Sequence, residues 1–193
     1  MDIDAMTMIE TRRRHEGMLF LALFALTIPA ANWLIGHVGT VCQPAGVCLI
    51  PVAPGLMAPS GVIMAGAALV LRDLVQRRLG VAASSLAILV GAVLSALLAP
   101  PALVIASAAA FLLSEFADLA VYTPLVRRGL MVAVVASSVV GLVVDSVVFL
   151  WLAFGSLEFL LGQIVGKAWM VLLSIPCVGW LRRRDARLGM ASV

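Results

Sequence analysis

The sequence predicts an all-α membrane protein of six transmembrane helices with both termini in the cytoplasm. Of its 193 residues, 63% are hydrophobic and only 12% charged, whereas about a quarter of a soluble domain is charged. The apolar residues form runs long enough, at about 1.5 Å per residue, to cross a hydrocarbon core of about 30 Å. All twelve arginines lie in four short clusters: Arg12 to Arg14, Arg72 with Arg77 and Arg78, Arg127 with Arg128, and Arg182 to Arg187. Six helices of alternating direction put these clusters on one side, which the positive-inside rule makes the cytoplasm.

The elements follow in order. Residues 1–16 are polar and read as a cytoplasmic N-terminal segment. Helix one is expected over residues 17–36; its apolar stretch exceeds that of a cleaved signal peptide, so it is read as an uncleaved span. Residues 37–55 hold glycines, two cysteines and prolines at 44, 51 and 54, a composition that predicts a loop. Helix two is placed at residues 57–75. No charged residue occurs from Leu79 to Ser114; that span is too long for one helix, and Pro100-Pro101 divides it into helix three at residues 82–98 and helix four at residues 102–122. The Arg127-Arg128-Gly129 turn precedes helix five at residues 130–153, and Gly155-Ser156 separates it from helix six at residues 158–180. One membrane domain, residues 17–181, therefore precedes a basic tail, residues 182–193.

Several function classes are disfavoured. The net charge of +3 is spent on topology, so no direct nucleic-acid contact is expected. The cysteines form no CxxC pattern and His15 and His37 stand alone, so neither a metal site nor a cofactor is expected. Cys42 and Cys48 share one non-cytoplasmic loop, where a disulfide or two free thiols both fit; Cys177 reads as a packing residue. No GxxxxGK[ST], HExxH or Cys/His nucleophile pattern is found, so the chain is not read as an enzyme and cannot power transport by hydrolysis itself. Trp33, Trp151 and Trp180 fall near helix ends, as interfacial anchors do.

The informative residues are ionisable groups inside apolar runs. A charge at the centre of a spanning helix is unfavourable by roughly 2.5–3.5 kcal/mol on insertion scales, and such residues usually face a cavity or a partner. Glu115, Asp118 and Tyr122 share one face of helix four; Ser138, Gly141 and Asp145 share one face of helix five, and the two faces are expected to meet. Lys167, the only lysine, and Asp145 each lie roughly 12–14 Å from the same membrane surface, so they can pair. Gln163, one turn before Lys167, extends that polar face. Asp118, one turn from Tyr122 toward the cytoplasmic end of helix four, fits either a site residue or an end residue partly reaching interfacial water. Asp73 has Arg77 four positions on, the spacing of a surface ion pair. Asn32 is read as a buried amide able to donate and accept, while Ser137, Ser138 and Ser146 read first as small packing residues. Phe149, Phe154 and Trp169 read as core or lipid-facing.

Several segments, in this order, resemble the vitamin uptake transporter family, whose best-known members are queuosine precursor transporters. They are Pro29-Ala30-Ala31-Asn32-Trp33-Leu34, Arg72-Asp73 running to Gly80, Glu115-x-x-Asp118-x-x-x-Tyr122, Ala136-Ser137-Ser138, Asp145-Ser146-x-x-Phe149, and Lys167 ahead of Ser174-Ile175-Pro176. The resemblance spans roughly residues 18–181. It implies a fold similar to the substrate-binding subunits of energy-coupling-factor vitamin transporters, a bacterial inner-membrane location, and uptake of 7-cyano-7-deazaguanine or a related base for tRNA modification. The implied substrate-binding set is Asn32, Asp73, Glu115, Asp118, Tyr122, Asp145 and Lys167.

The partners expected on this reading are a purine-like small molecule and the lipid bilayer, with a homo-oligomer or an energising module both open. Two readings from other classes compete: an intramembrane enzyme using the carboxylates, and an assembly subunit whose ion pairs only hold helices together.

Overall fold

The computed structural model of the chain describes residues 3–42 and 47–189. It contains six α-helices: α1 (Ile3–His37), α2 (Val62–Leu79), α3 (Val81–Leu98), α4 (Val104–Leu125), α5 (Leu130–Phe154) and α6 (Leu160–Leu188). Helices α1, α3, α4, α5 and α6 are long and apolar enough to cross a membrane. The protein is a mostly helical, multi-pass membrane protein.

The outer helices expose apolar side chains and bury small or polar ones. In α3 the buried residues are Ser84, Ile88, Gly91 and Ser95, one helical stripe, while Leu86, Leu89, Val93 and Leu97 face outward. That is the pattern of a helix with lipid on most sides and a narrow protein contact. Trp33, Trp151, Trp169 and Trp180 are exposed. Cys177, expected to pack, is exposed as well.

Helix α2 is built the other way. It is not among the five spans, because Arg72, Asp73, Arg77 and Arg78 interrupt its apolar run. Every residue from Arg72 to Arg78 is buried, and α2 contacts each of the other helices. It is the axis around which the bundle is wrapped. Close approach depends on glycine at one contact with α6: a Cβ on Gly66 would lie 2.8 Å from the Lys167 carbonyl oxygen and 2.9 Å from Lys167 Cα. Backbone cannot swing aside, so Gly66→Ala is expected to destabilise by about 1–3 kcal/mol. Thermal melting in detergent checks this against Gly179→Ala, where the space around an added Cβ is open; equal melting temperatures would refute it.

The chain between α1 and α2 is not the loop the sequence predicts. It forms an antiparallel sheet of β1 (Val41–Cys42), β2 (Cys48–Ala53) and β3 (Leu56–Pro59), in the order β1-β2-β3. Of the prolines that suggested a loop, Pro44 lies outside the described residues, Pro54 sits in the turn after β2, and Pro51 is accommodated. β1 pairs only with Cys48 and Leu49, so Pro51 faces an unpaired edge, and the β2–β3 register shifts between Pro51 and Ala53; edges and bulges are where strand prolines are tolerated. Helix α2 consequently starts at Val62, not near residue 57. A disulfide joins Cys42 to Cys48. Val47 and Leu49 pack with Ile35 of α1, Leu103 and Ala106 beside and in α4, and Phe149 of α5, so the sheet lies across one end of the bundle. At the opposite end, α1 extends back to Ile3, making the polar N-terminal stretch helical and continuous with the span.

Candidate functional site

The interior holds three polar centres stacked along α2. The first lines a cavity at the end of the bundle that carries the sheet. Its empty volume, open mouth included, is ≈ 620 Å³. The walls are mainly apolar, with Phe111 and Phe149 among them, and the polar groups are few: Asn32, Asp145, Gln163 and Lys167, with Thr27, Ser95 and Ser107.

Lys167 and Asp145 meet as their depths required. Nζ of Lys167 lies 2.5 Å from Asp145 Oδ2, donates to Ser146 Oγ at 2.7 Å, and donates to Gln163 Oε1. Three partners use the three ammonium protons. The lysine side chain is 1% exposed and the aspartate 17%, so the carboxylate is the half of the pair that faces the opening. The other aspartate oxygen, Oδ1, lies 3.4 Å from Ser114 Oγ. Asn32 is partly buried rather than fully buried; its Nδ2 donates to the Ile28 carbonyl at 2.9 Å, which leaves its own carbonyl oxygen for the cavity. Ser146 is wired to the ammonium and is more than a packing residue.

The second centre lies behind the first and is organised by Arg72, which is fully buried. Its NH2 lies 2.7 Å from Asp73 Oδ1 and also pairs with Asp118 Oδ1, Nε is 3.4 Å from Glu115 Oε2, and NH1 donates to Gln76 Oε1 at 2.8 Å. The guanidinium stands 5.6 Å from the Tyr122 ring centroid, a cation–π distance. Ser137 donates to Asp73 Oδ2 at 2.9 Å, tying α5 in. Gly141 lets α5 approach: a Cβ there would come 3.1 Å from Asp118 Cβ, so the two predicted polar faces do meet.

Three expectations are corrected here. Asp73 forms no surface pair with Arg77; it is buried on Arg72, and Arg77 turns to Asp185. Asp118 does not reach interfacial water, since it is fully buried. Ser137 holds a carboxylate and is not merely small.

The third centre closes the far end. Arg77 donates to Asp185 Oδ2 at 2.7 Å through NH2, and Arg78 donates to Asp185 Oδ1 at 2.8 Å. Arg78 also pairs with Glu16 at 2.9 Å, and Arg184 with Glu16 at 2.5 Å. This lattice clamps α1, α2 and α6 together.

Of the seven residues picked from sequence, the cavity gathers Asn32, Asp145 and Lys167, and Arg72 gathers Asp73, Glu115, Asp118 and Tyr122, which are not in the cavity lining. Sequence reasoning missed Arg72, Gln76, Gln163's direct bond to Lys167, and the clamp formed by Glu16, Arg77, Arg78, Arg184 and Asp185. A signal for them existed. Successive helical residues point about 100° apart, so polar residues at 72, 73, 76, 77 and 78 surround the helix and leave no face for lipid.

Residues 94–181, from the last turns of α3 through most of α6, match the family model described as "Putative vitamin uptake transporter". The segment is somewhat less than half of the chain; it contains Glu115, Asp118, Tyr122, Asp145 and Lys167 and excludes Asn32 and α2. No curated protein and no solved structure matches the chain.

Proposed function

We propose that this chain, part of which matches a family of vitamin uptake transporters, imports a flat nitrogen heterocycle, and that the ligand is 7-cyano-7-deazaguanine or a related queuosine precursor. The observation that carries this reading is the apolar cavity whose few polar groups are the Lys167–Asp145 pair flanked by the amides of Asn32 and Gln163. A deazaguanine presents a ring N–H beside an amino group, and one carboxylate can accept both; Asp145 is the exposed half of its pair and suits that task. The ligand carbonyl would take a donor from the amide of Asn32 or Gln163, since the Lys167 protons are engaged, and Phe111 and Phe149 would line the flat ring. Asp73, Glu115, Asp118 and Tyr122 would support the site from behind. A base lacking the paired donors would leave Asp145 unsatisfied, which is how such a site discriminates.

Orientation is part of the proposal. Arg12, Arg14, Arg127, Arg128, Arg182, Arg183 and Arg187 are exposed and belong to the clamp end of the helices. The Cys42–Cys48 disulfide belongs to the sheet end, and disulfides persist on the oxidising side of a membrane. Both termini would then be cytoplasmic in a bacterial inner membrane, with the cavity opening outward.

The test is the queuosine content of tRNA in a strain lacking both precursor synthesis and its own transporter, fed limiting 7-cyano-7-deazaguanine. Expression of the chain is expected to restore queuosine, and Asn32→Ala at equal membrane abundance to lower the initial uptake rate about tenfold, the effect of one hydrogen bond of about 1.5 kcal/mol. No restoration by well-expressed protein would remove this substrate.

A further inference from the structure

The Arg72 centre carries more carboxylates than its one cation can balance. It sets three carboxyl groups, Asp73, Glu115 and Asp118, against one guanidinium, all buried. Asp73 and Asp118 both crowd the same NH2 group. Asp73 Oδ1, Glu115 Oε2 and Asp118 Oδ2 have no aligned donor, while Arg72 Nε, the Tyr122 hydroxyl and Ser138 Oγ, buried as well, have no hydrogen-bond partner. Ionised carboxylates only accept hydrogen bonds, whereas a protonated carboxyl donates one. A buried charge without partners is also strongly unfavourable. A proton on one carboxyl lowers the excess negative charge and turns one acceptor into a donor. A metal ion does not fit equally well: among the described residues no group of three or more His, Cys, Asp or Glu side chains is arranged to hold one.

The other charged groups around the centre are already engaged. On α2 the next charges, Arg77 and Arg78, bind Asp185 of α6, and Glu16 of α1 binds Arg78. On α5 the nearest charge is Asp145, which holds Lys167 of α6. Helix α3 carries no charged residue. No neighbouring side chain among the described residues therefore supplies a second cation to this centre.

We propose that the Arg72 centre is a proton-binding site and that its loading is linked to filling of the cavity. The connecting element is short: Ser114, which precedes Glu115 in α4, reaches Asp145 Oδ1 at 3.4 Å, and Asp145 is the acceptor a ligand would engage. Drawing Asp145 toward a ligand changes the hydrogen bonding of the α4 turn that carries Glu115. The proton comes from hydronium in water reaching the cavity: an O–H bond of the hydronium breaks as the carboxyl O–H bond forms, and a neutral water molecule is left. Only the linkage rests on the transporter reading; the proton site stands on the geometry of the cluster.

Infrared spectroscopy of the full chain in lipid bilayers tests the site without any ligand. At neutral pH the wild type is expected to show a protonated-carboxyl carbonyl band that shifts in D2O, and at least one of the isosteric variants Asp73→Asn, Glu115→Gln and Asp118→Asn, still monodisperse, is expected to lose it. A wild type with no deuterium-sensitive carboxyl band overturns the proton site, as does a band that survives in all three folded variants. Thermal stabilisation by sodium at constant pH, with no such band, overturns it in favour of a metal. For the linkage, titration with 7-cyano-7-deazaguanine is followed calorimetrically in buffers of different ionisation enthalpy. Binding accompanied by proton uptake or release is expected; binding with no proton exchange overturns the linkage. If nothing binds, the substrate reading and its linkage fall, and the infrared band alone decides the proton site.

Discussion

Arg72→Met is expected to remove the folded protein from membrane extracts, the largest effect of any single substitution in the chain. Methionine keeps much of the volume and removes the cation on which Asp73, Glu115 and Asp118 converge. Breaking a buried pair in this way is unfavourable by roughly 3–5 kcal/mol, a large part of a net stability of about 5–15 kcal/mol. Arg72→Lys keeps the charge but replaces a planar fork by a compact ammonium, which cannot serve Gln76 and three carboxylates together. It is expected to fold with a lowered melting temperature. Fluorescence-detected size-exclusion chromatography reads both. An Arg72→Met protein that elutes and melts like the wild type would show that the centre does not organise the fold.

The second large effect falls on transport. Lys167→Met removes an ammonium with three partners at the cavity wall and leaves Asp145 without its cation. A hydrogen bond to a charged group contributes about 1.5–3 kcal/mol, so uptake is expected to fall about 10- to 100-fold. Part of that loss reflects stability, and the double variant Asp145→Asn with Lys167→Met separates the two contributions. Neutralising both halves of the pair is expected to bring the melting temperature back toward the wild-type value while uptake stays low. Recovery of uptake along with stability would mean that the pair only joins α5 to α6, as an assembly subunit requires. The comparison is a double-mutant cycle, and its coupling term is what distinguishes the readings.

Much of this architecture is legible from the chain. Helices α3, α4, α5 and α6 begin near their predicted positions because Pro100-Pro101, Gly129 and Gly155 interrupt runs that are otherwise apolar. The ends are less well foretold, since α6 continues through the basic tail to Leu188, where Asp185 binds Arg77 and Arg78. The Lys167–Asp145 pair could be anticipated because depth along a helix is a linear function of residue number. The sheet could not, because proline content alone does not reveal which strand edge is left unpaired. The largest omission was the role of α2. Counting arginines for topology treats each as a surface charge, which holds for Arg127 and Arg128 and fails for Arg72, Arg77 and Arg78. What separates the two groups is the pairing of carboxylates far away in sequence, and a reading by local composition does not see it.

The burial of α2 also constrains how the chain is made. This helix has no face to offer lipid, so it cannot settle in the bilayer by itself. Its partners arrive late: Asp118 follows Arg72 by 46 positions, and Asp185 follows Arg77 by 108. At a synthesis rate of about 5–20 residues per second, the second interval lasts on the order of 5–20 seconds. During that time α2 must wait beside the insertion machinery or against α1, with its arginines held near water. Biogenesis of this protein is therefore a cooperative event completed when α6 emerges, and a chain stopped short of Asp185 leaves its central helix without a place in the membrane.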